Sequence, residues 1–536
     1  MNKLSQSRRA FIKQAGLGMA ALVLGAPAII TRRSQTPPNI LFIMTDDHAA
    51  HAISAYGSRI NRTPQIDRLA QEGVRFSNGF CTNSICAPSR ASILTGLYSH
   101  AHGVIDNRTR LDTGKPMFPQ LLQRAGYETA LVGKWHLKTD PTGFDYWNVL
   151  PGQGMYYNPD FIEMGERKPY TGYATDITTD IALDWLDRRN RRRPFCLLLH
   201  HKAPHRNWMP GPKQLHLYRD QTIPEPPNLF DDYSGRGPAA GMTKMTIAEH
   251  MYPAYDLKLP LDPANEMDAK YWQRMFGRLN DEQRRLWEAA YREENELYLK
   301  NPPTGKERVR FFYQRYIKDY LRCVASVDEN VGRVLDFLDE KGLAENTLVV
   351  YTSDQGFFLG EHGWYDKRFM YEPAFRLPLL IRYPRLPASG VVAEQFVANI
   401  DYAPTILDLA GCRIPESMQG RSLKPILEGD PPADWRTSVY YAYWENSWKL
   451  RNARPEEMAD PSFRYFTAHR VGPHRGVRTE RYKLIHFHSE GDYWELFDLA
   501  EDPHEIRNVY GEPAYAEIAA ELKRELEGLR RWYRDI

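Results

Sequence analysis

The chain has 536 residues, of which 42% are hydrophobic, 26% charged and 12% aromatic, with 70 basic against 68 acidic side chains. So much apolar material in so long a chain predicts one large core with a second, smaller unit, and it excludes a disordered, collagen-like or low-complexity protein. Near-neutral charge gives no general electrostatic reason to bind nucleic acid, so an anionic ligand must be drawn by a local basic cleft.

In the first thirty residues, Ser7-Arg8-Arg9-Ala10-Phe11-Ile12-Lys13 precedes an apolar run from Ala15 to Ile30 that contains Ala26-Pro27-Ala28, a small-x-small cleavage site. The segment resembles a twin-arginine export signal over residues 1–28, which implies an exported, periplasmic protein. The run carries glycines and is shorter than the roughly 20 residues of a spanning helix, and no other stretch is apolar enough, so no stable membrane span is expected. Cleavage removes Lys3, Arg8, Arg9 and Lys13 and no acid, which leaves the rest slightly acidic. Cys81, Cys86, Cys196, Cys323 and Cys412 are odd in number and form no CxxC pair, so no disulfide-dependent scaffold is expected.

Asn39 to Thr45 is a continuous apolar run of strand length, the pattern of a strand covered on both faces of a parallel sheet. It ends in Asp46-Asp47, two acids that repel one another at a strand end unless a cation joins them. Thr63-Pro64 opens a helix that stops at Gly73, with Thr63 as the expected N-cap. Cys86-Ala87-Pro88-Ser89-Arg90, continued to Gly96, reads as a turn into a short helix, with Pro88 as its first residue and Cys86 just before free N–H groups that attract anions.

Cys-x-Pro-Ser-Arg followed by Leu94-Thr95-Gly96 resembles the signature of the formylglycine-dependent sulfatases of the alkaline phosphatase superfamily. The resemblance implies that Cys86 is oxidised to formylglycine (3-oxoalanine) by a formylglycine-generating or anaerobic sulfatase-maturating enzyme. It implies an α/β fold: a large mixed, mostly parallel sheet sandwiched by helices, with a smaller C-terminal antiparallel sheet plus helix. Residues 34–430 would form the catalytic domain and 431–536 the C-terminal subdomain.

Further motifs extend the likeness. The strand Tyr127 to Val132 runs into Gly133-Lys134-Trp135-His136-Leu137, where the family implies a sulfate-binding Lys134 and a His136 on the formylglycine side. The strand Pro194 to Leu199 leads to His200-His201-Lys202-Ala203-Pro204-His205, with His205 matching the family's sulfate-side histidine and expected general acid. After a proline-rich, aromatic region from Arg206 to about Gly305, a helix is predicted over Phe311 to Lys341. The strand Thr347 to Thr352 then ends in Ser353-Asp354-Gln355. Asp46, Asp47, Asp354 and Gln355 would form an all-oxygen donor set suited to one Ca²⁺, joined by the converted Cys86. Arg90, Lys134 and Lys367 would surround the sulfate.

Short aromatic strands after Pro432 predict the antiparallel sheet, closed by a helix carrying Ile518, Leu522, Leu526 and Leu529. The implied substrate is a sulfated carbohydrate, an exo-cleaved 6-O-sulfate by similarity to N-acetylglucosamine-6-sulfatases and iduronate sulfatases. Arg206, Trp364, His474 and Arg478 are the sugar-pocket candidates, with Trp208 and Tyr365 as further stacking groups. The alternative is a phosphomonoesterase or phosphonate hydrolase of the same superfamily, which two metal ions instead of one would mark. A carbohydrate-binding protein without catalysis would have lost Cys86, Arg90 or a carboxylate, and all are present.

Overall fold

A computed structural model describes residues 36–445, 469–488 and 492–536, so the export-type segment 1–28 lies outside the described residues. Ten strands make the main sheet: β1 Asn39–Thr45, β2 Val74–Phe76, β3 Glu128–Lys134, β4 Tyr146–Leu150, β5 Asp160–Glu163, β6 Glu166–Pro169, β7 Phe195–His200, β8 Thr347–Ser353, β9 Leu379–Arg382 and β10 Val391–Ala393. Their spatial order is β10-β2-β9-β8-β1-β7-β3-β4-β5-β6. The pairs β8–β1, β1–β7, β7–β3 and β3–β4 are parallel, and β9 runs antiparallel to β8.

Every residue of β1, β7 and β8 is buried, as their unbroken apolar runs require. Because successive side chains leave opposite faces of a strand, β1 splits between two cores. Ile40, Phe42 and Met44 enter one core with Cys196 and Leu198 of β7 and with Ala91 and Leu94 of the helix α2, Cys86–Thr95. Leu41 and Ile43 enter the other with Leu197 and Leu199, with Ile177 and Ile181 of the helix α3, Ala174–Arg188, and with Tyr316, Tyr320 and Val327 of the 36-residue helix α4, Gly305–Glu340. The helix predicted from Phe311 therefore begins six residues earlier, in turns whose side chains are mostly exposed.

The helix α1, Pro64–Gln71, forms where expected, but Thr63 does not cap its amides. Asp328 of α4 does: its Oδ1 accepts from Gln65 N at 3.0 Å and Ile66 N at 2.8 Å, while the Thr63 hydroxyl accepts from Ser54 N. A helix packed alongside supplies a carboxylate to the orphan N–H groups that local sequence assigns to the threonine.

The predicted C-terminal sheet is an antiparallel meander of β11 Val439–Tyr443, β12 His474–Arg478, β13 Tyr482–Phe487 and β14 Tyr493–Asp498. The closing helix α5, Ala516–Tyr533, buries Ala519, Leu522, Leu526 and Tyr533 against it. Val477, Leu484 and Phe497 of this sheet belong to the same core as Phe42 and Leu94, and residues 37–536 make one compact unit.

Candidate active site

The adjacent strands β8, β1, β7 and β3 end along one edge of the sheet, where open α/β sheets bind ligands. Asp46 and Asp47 follow β1, Lys134 closes β3, His205 lies five residues past β7, and Asp354 and Gln355 follow β8. The N-terminus of α2 faces this edge. Cys86 is its first residue and Pro88 its third, two positions later than the sequence suggests. First-turn N–H groups lack intrahelical acceptors, so proline in third place forfeits no bond.

Cys86 Sγ donates to Asp46 Oδ1 at 3.3 Å, and Lys367 Nζ lies 3.3 Å from the same sulfur. Lys134 Nζ bonds Asp46 Oδ2, and Lys367 Nζ bonds Asp47 Oδ1. Arg90 approaches from behind: Nε donates to Asp354 Oδ2 at 3.0 Å and Nη1 to the Lys134 carbonyl at 2.7 Å. These two bonds hold Asp354 and the end of β3, while Nη2 has no hydrogen-bond partner among the described residues and lies 3.9 Å from Asp46 Oδ1.

One oxygen each from Asp46, Asp47 and Asp354 lie within 4.8 Å of one another, and all three side chains are buried. Burial pushes Asp47 up to about 6, with Asp46 adding to the push against Lys367. Burial and then Asp46 push Asp354 to about 7. Burial also opposes the Asp46 charge, but Lys134, His205, Arg90 and Lys367 outweigh it and hold Asp46 well below the usual carboxylate range. Among the described residues, Asp47 Oδ2 and Gln355 Oε1 are buried without a hydrogen-bond partner. Crowded carboxylates with two orphaned oxygens fit a hard, oxygen-liganded divalent cation, and the donor set matches Ca²⁺.

Burial, reinforced by Asp46, pushes the Cys86 thiol up to about 12, so the unmodified sulfur is a neutral thiol and a poor nucleophile. His205 Nδ1 donates to the Arg206 carbonyl at 2.7 Å, which fixes the tautomer and leaves Nε2 3.7 Å from Asp47 Oδ2. His136 is buried with Nδ1 unpartnered. Burial holds both imidazoles well below their usual range. Asp47, His136, Asp366 and Arg368 have φ of 69°, 60°, 78° and 95°, left-handed backbone that non-glycine residues adopt only where surroundings impose it.

The structure thus brings Asp46, Asp47, Cys86, Arg90, Lys134, His136, His205, Asp354, Gln355 and Lys367 to one edge. It adds two residues that sequence reasoning missed. Gln153 Oε1 accepts from Lys134 Nζ, and Lys202, buried over the Tyr156 ring, is brought down to about 7 by burial and Lys134. The Gly152-Gln153-Gly154 turn after β4 was a signal for the first; Lys202 sits in the motif that supplied His205.

The sugar-pocket candidates do not gather there. Trp364 is fully buried, stacked on Phe369 at 4.9 Å and on Tyr233 at 5.4 Å, and Trp208 is equally buried against Tyr316. Tyr365 is a core residue too. His474 is enclosed by Tyr441, Tyr443 and Phe487, donates from Nδ1 to the Gly472 carbonyl, and accepts from Met370 N at 3.2 Å. Arg478 lies over Phe80 and Phe396 and pairs with Glu372 at 3.5 Å. Arg206 is neutralised by Asp256 in a two-pronged pair of 2.8 and 2.5 Å; its carbonyl, which holds His205, is what serves the site. Large aromatic and planar side chains gain most from burial, so the core claimed those that residue type alone offered to a ligand.

The chain is also similar to known proteins. A sulfatase family model matches residues 38–412, and a model of the N-sulphoglucosamine sulphohydrolase C-terminal region matches 450–532. An N-acetylglucosamine-6-O-sulfatase of Bacteroides thetaiotaomicron is 45% identical over 530 residues, 97% of this chain and 91% of the relative. A solved protein in complex with its substrate D-glucosamine-2-N,6-O-disulfate superposes with a TM-score of 0.87 at 45% identity, covering 93% of this chain and 99% of the other. A phosphonate monoester hydrolase of Silicibacter pomeroyi superposes with a TM-score of 0.68 at 25% identity, covering 92% and 95%.

Proposed function

The chain belongs to the sulfatase family, and on that premise we propose that it removes the 6-O-sulfate of N-acetylglucosamine or N-sulfoglucosamine at the ends of sulfated glycans. The observation that carries the chemistry is Cys86 at a helix N-terminus, with Lys367 and Asp46 each 3.3 Å from its sulfur. The sugar comes from the relatives at 45% identity.

A maturating enzyme would convert Cys86 to formylglycine, which would supply a nucleophilic oxygen for sulfur as the sugar oxygen leaves and, in a second half, a way to release the sulfate. Asp46, Asp47, Asp354 and Gln355 would hold one Ca²⁺, which would supply Lewis acidity and neutralise anionic oxygen. Lys134, Lys367 and the first N–H groups of α2 would bind the sulfate oxygens, with charge already in place before the reaction. Arg90 favours the charged form of Asp354 against burial and fixes its position. His205, its Nδ1–H committed to the Arg206 carbonyl, would protonate the leaving sugar oxygen from Nε2; an adjacent sulfate raises its proton affinity against the effect of burial. His136 has a free ring nitrogen to take the proton in the second half. Residues 1–28 would direct export to the periplasm.

The test is a panel of desalted sulfated mono- and disaccharides scored for released sulfate, on protein whose peptide from Phe76 to Arg90 has been weighed. Turnover of 6-O-sulfated glucosamine by protein carrying formylglycine at position 86 is expected. Activity confined to aryl sulfates, 2-O-sulfated uronates or phosphonate monoesters, or full activity with unmodified Cys86, would sink the proposal.

A further inference from the structure

A cleft of about 610 Å³ lies apart from the catalytic cluster, yet at the same edge of the sheet. Leu379 pairs with Thr352 on one side and Phe76 on the other, so Leu377 and Ser77, which line the cleft, stand beside the strand end that carries Asp354. Glu361 and His362 form part of its wall, and the same loop delivers Lys367 to the sulfate site a few residues later.

The charges of this cleft do not balance. Each acid in its lining is already paired: Glu225 with Arg310 at 3.1 Å, Glu361 with His51 at 2.9 Å, and Glu372 and Glu505 with Lys483 at 2.7 and 2.6 Å. Arg59 and Arg75 make no ion pair among the described residues, and Arg59 is exposed. Arg376, the other arginine of the lining, pairs with Glu372 at 3.6 Å, so the guanidinium groups without an acid are those of Arg59 and Arg75. Arg75 lies 5.1 Å over the ring of Tyr56, whose hydroxyl is anchored to the Leu379 carbonyl at 2.9 Å. Pro224, Pro226 and Pro227 line the same cleft, exposed or half-buried apolar rings of the kind that pack against sugar faces. Guanidinium forks match the planar oxygens of sulfate and carboxylate, and the volume is that of a small-molecule site.

From this we infer that the cleft is a second, non-catalytic subsite for an anionic glycan segment, with Arg59 and Arg75 gripping a sulfate or uronate of the chain whose end is being desulfated. The inference rests on the sulfatase reading above for the identity of the chain. It goes beyond it in predicting that polymer length matters.

The experiment compares sulfate release from two substrates, 6-O-sulfated N-acetylglucosamine and a heparin-derived hexasaccharide 6-O-sulfated at its non-reducing end, by wild type and by Arg59→Ala/Arg75→Ala. The double variant should lose about tenfold in kcat/KM on the hexasaccharide, expressed in KM and weakened at high salt, and stay within twofold on the monosaccharide. Arg59→Lys/Arg75→Lys should recover part of the loss, which a merely structural defect would not allow. An equal change on both substrates, or none on the hexasaccharide, overturns the inference. If wild type turns over neither substrate, the catalytic reading has failed instead, and calorimetric titration with the same hexasaccharide decides the cleft. Equal affinity of wild type and variant, or equal competition by polyglutamate, rejects it.

Discussion

Of the buried charge clusters among the described residues, two differ in a way that separates function from architecture. At the junction of the C-terminal sheet, Lys483 lies between Glu372 at 2.7 Å and Glu505 at 2.6 Å, and the Glu372 amide donates to Glu505 Oε2 at 2.6 Å. One cation joins two acids, and Arg478 adds a second at 3.5 Å. At the catalytic edge, by contrast, three carboxylates converge, two lysines and a neutral thiol crowd them, and two oxygens have no partner. In the first cluster one lysine sits within 2.7 Å of both acids, and the cluster holds segments together. The second makes sense only with ligands that are not side chains, because unpaired buried oxygens cost folding energy with no structural return.

The comparison breaks first at Asp47. Asp47→Asn removes one of three like charges, so the cation-free variant should keep the thermal stability of cation-free wild type. Added Ca²⁺ should stabilise wild type and leave the variant unmoved. Activity should fall roughly 10³-fold, the several kcal/mol a Lewis acid supplies. Calorimetric Ca²⁺ titration and sulfate release measure both. A variant that binds Ca²⁺ normally would mean that the cluster is not the cation site.

Lys483→Met is the converse. It leaves Glu372 and Glu505 buried without their shared cation and should cost about 3–5 kcal/mol in denaturant unfolding, with little change in kcat for the protein that remains folded. Loss of kcat without loss of stability would erase the distinction between the clusters.

How much of this could be read from the chain follows the same line. The catalytic edge was legible because each of its strands is a continuous apolar run that stops at a polar motif, and the sheet must bring those stops together: Thr45 to Asp46, Ser353 to Asp354, Val132 to Lys134. The sugar pocket was not. Trp364, His474 and Arg478 have the side chains of a glycan site, but Tyr233, Phe487 and Glu372 enclose or pair them, from segments distant in sequence whose approach no local pattern reveals. The same limit hid Asp328, which replaces Thr63 at the head of α1. Residue type shows what a side chain can do; whether a partner has already taken it up is a tertiary fact.

The smallest effect is the sharpest probe of the open cluster. In protein made without maturation, Cys86 is a thiol raised to about 12, first by burial and then by the Asp46 carboxylate. A raised thiol pKa means protonation throughout the neutral range, with only about one molecule in 10⁴ as thiolate at pH 8. Iodoacetamide at pH 8 should therefore leave Cys86 almost untouched while it alkylates the half-buried Cys412, as peptide mass spectrometry will read. A divalent cation among the carboxylates neutralises the charge that raises the thiol, so Ca²⁺ should lower its pKa and speed alkylation at Cys86 alone. The sign is fixed: faster with Ca²⁺ at constant pH, and faster with rising pH at constant Ca²⁺. If Ca²⁺ changes the Cys412 rate equally, or protects Cys86, the carboxylates do not govern the sulfur and the open cluster is less coupled than its distances imply.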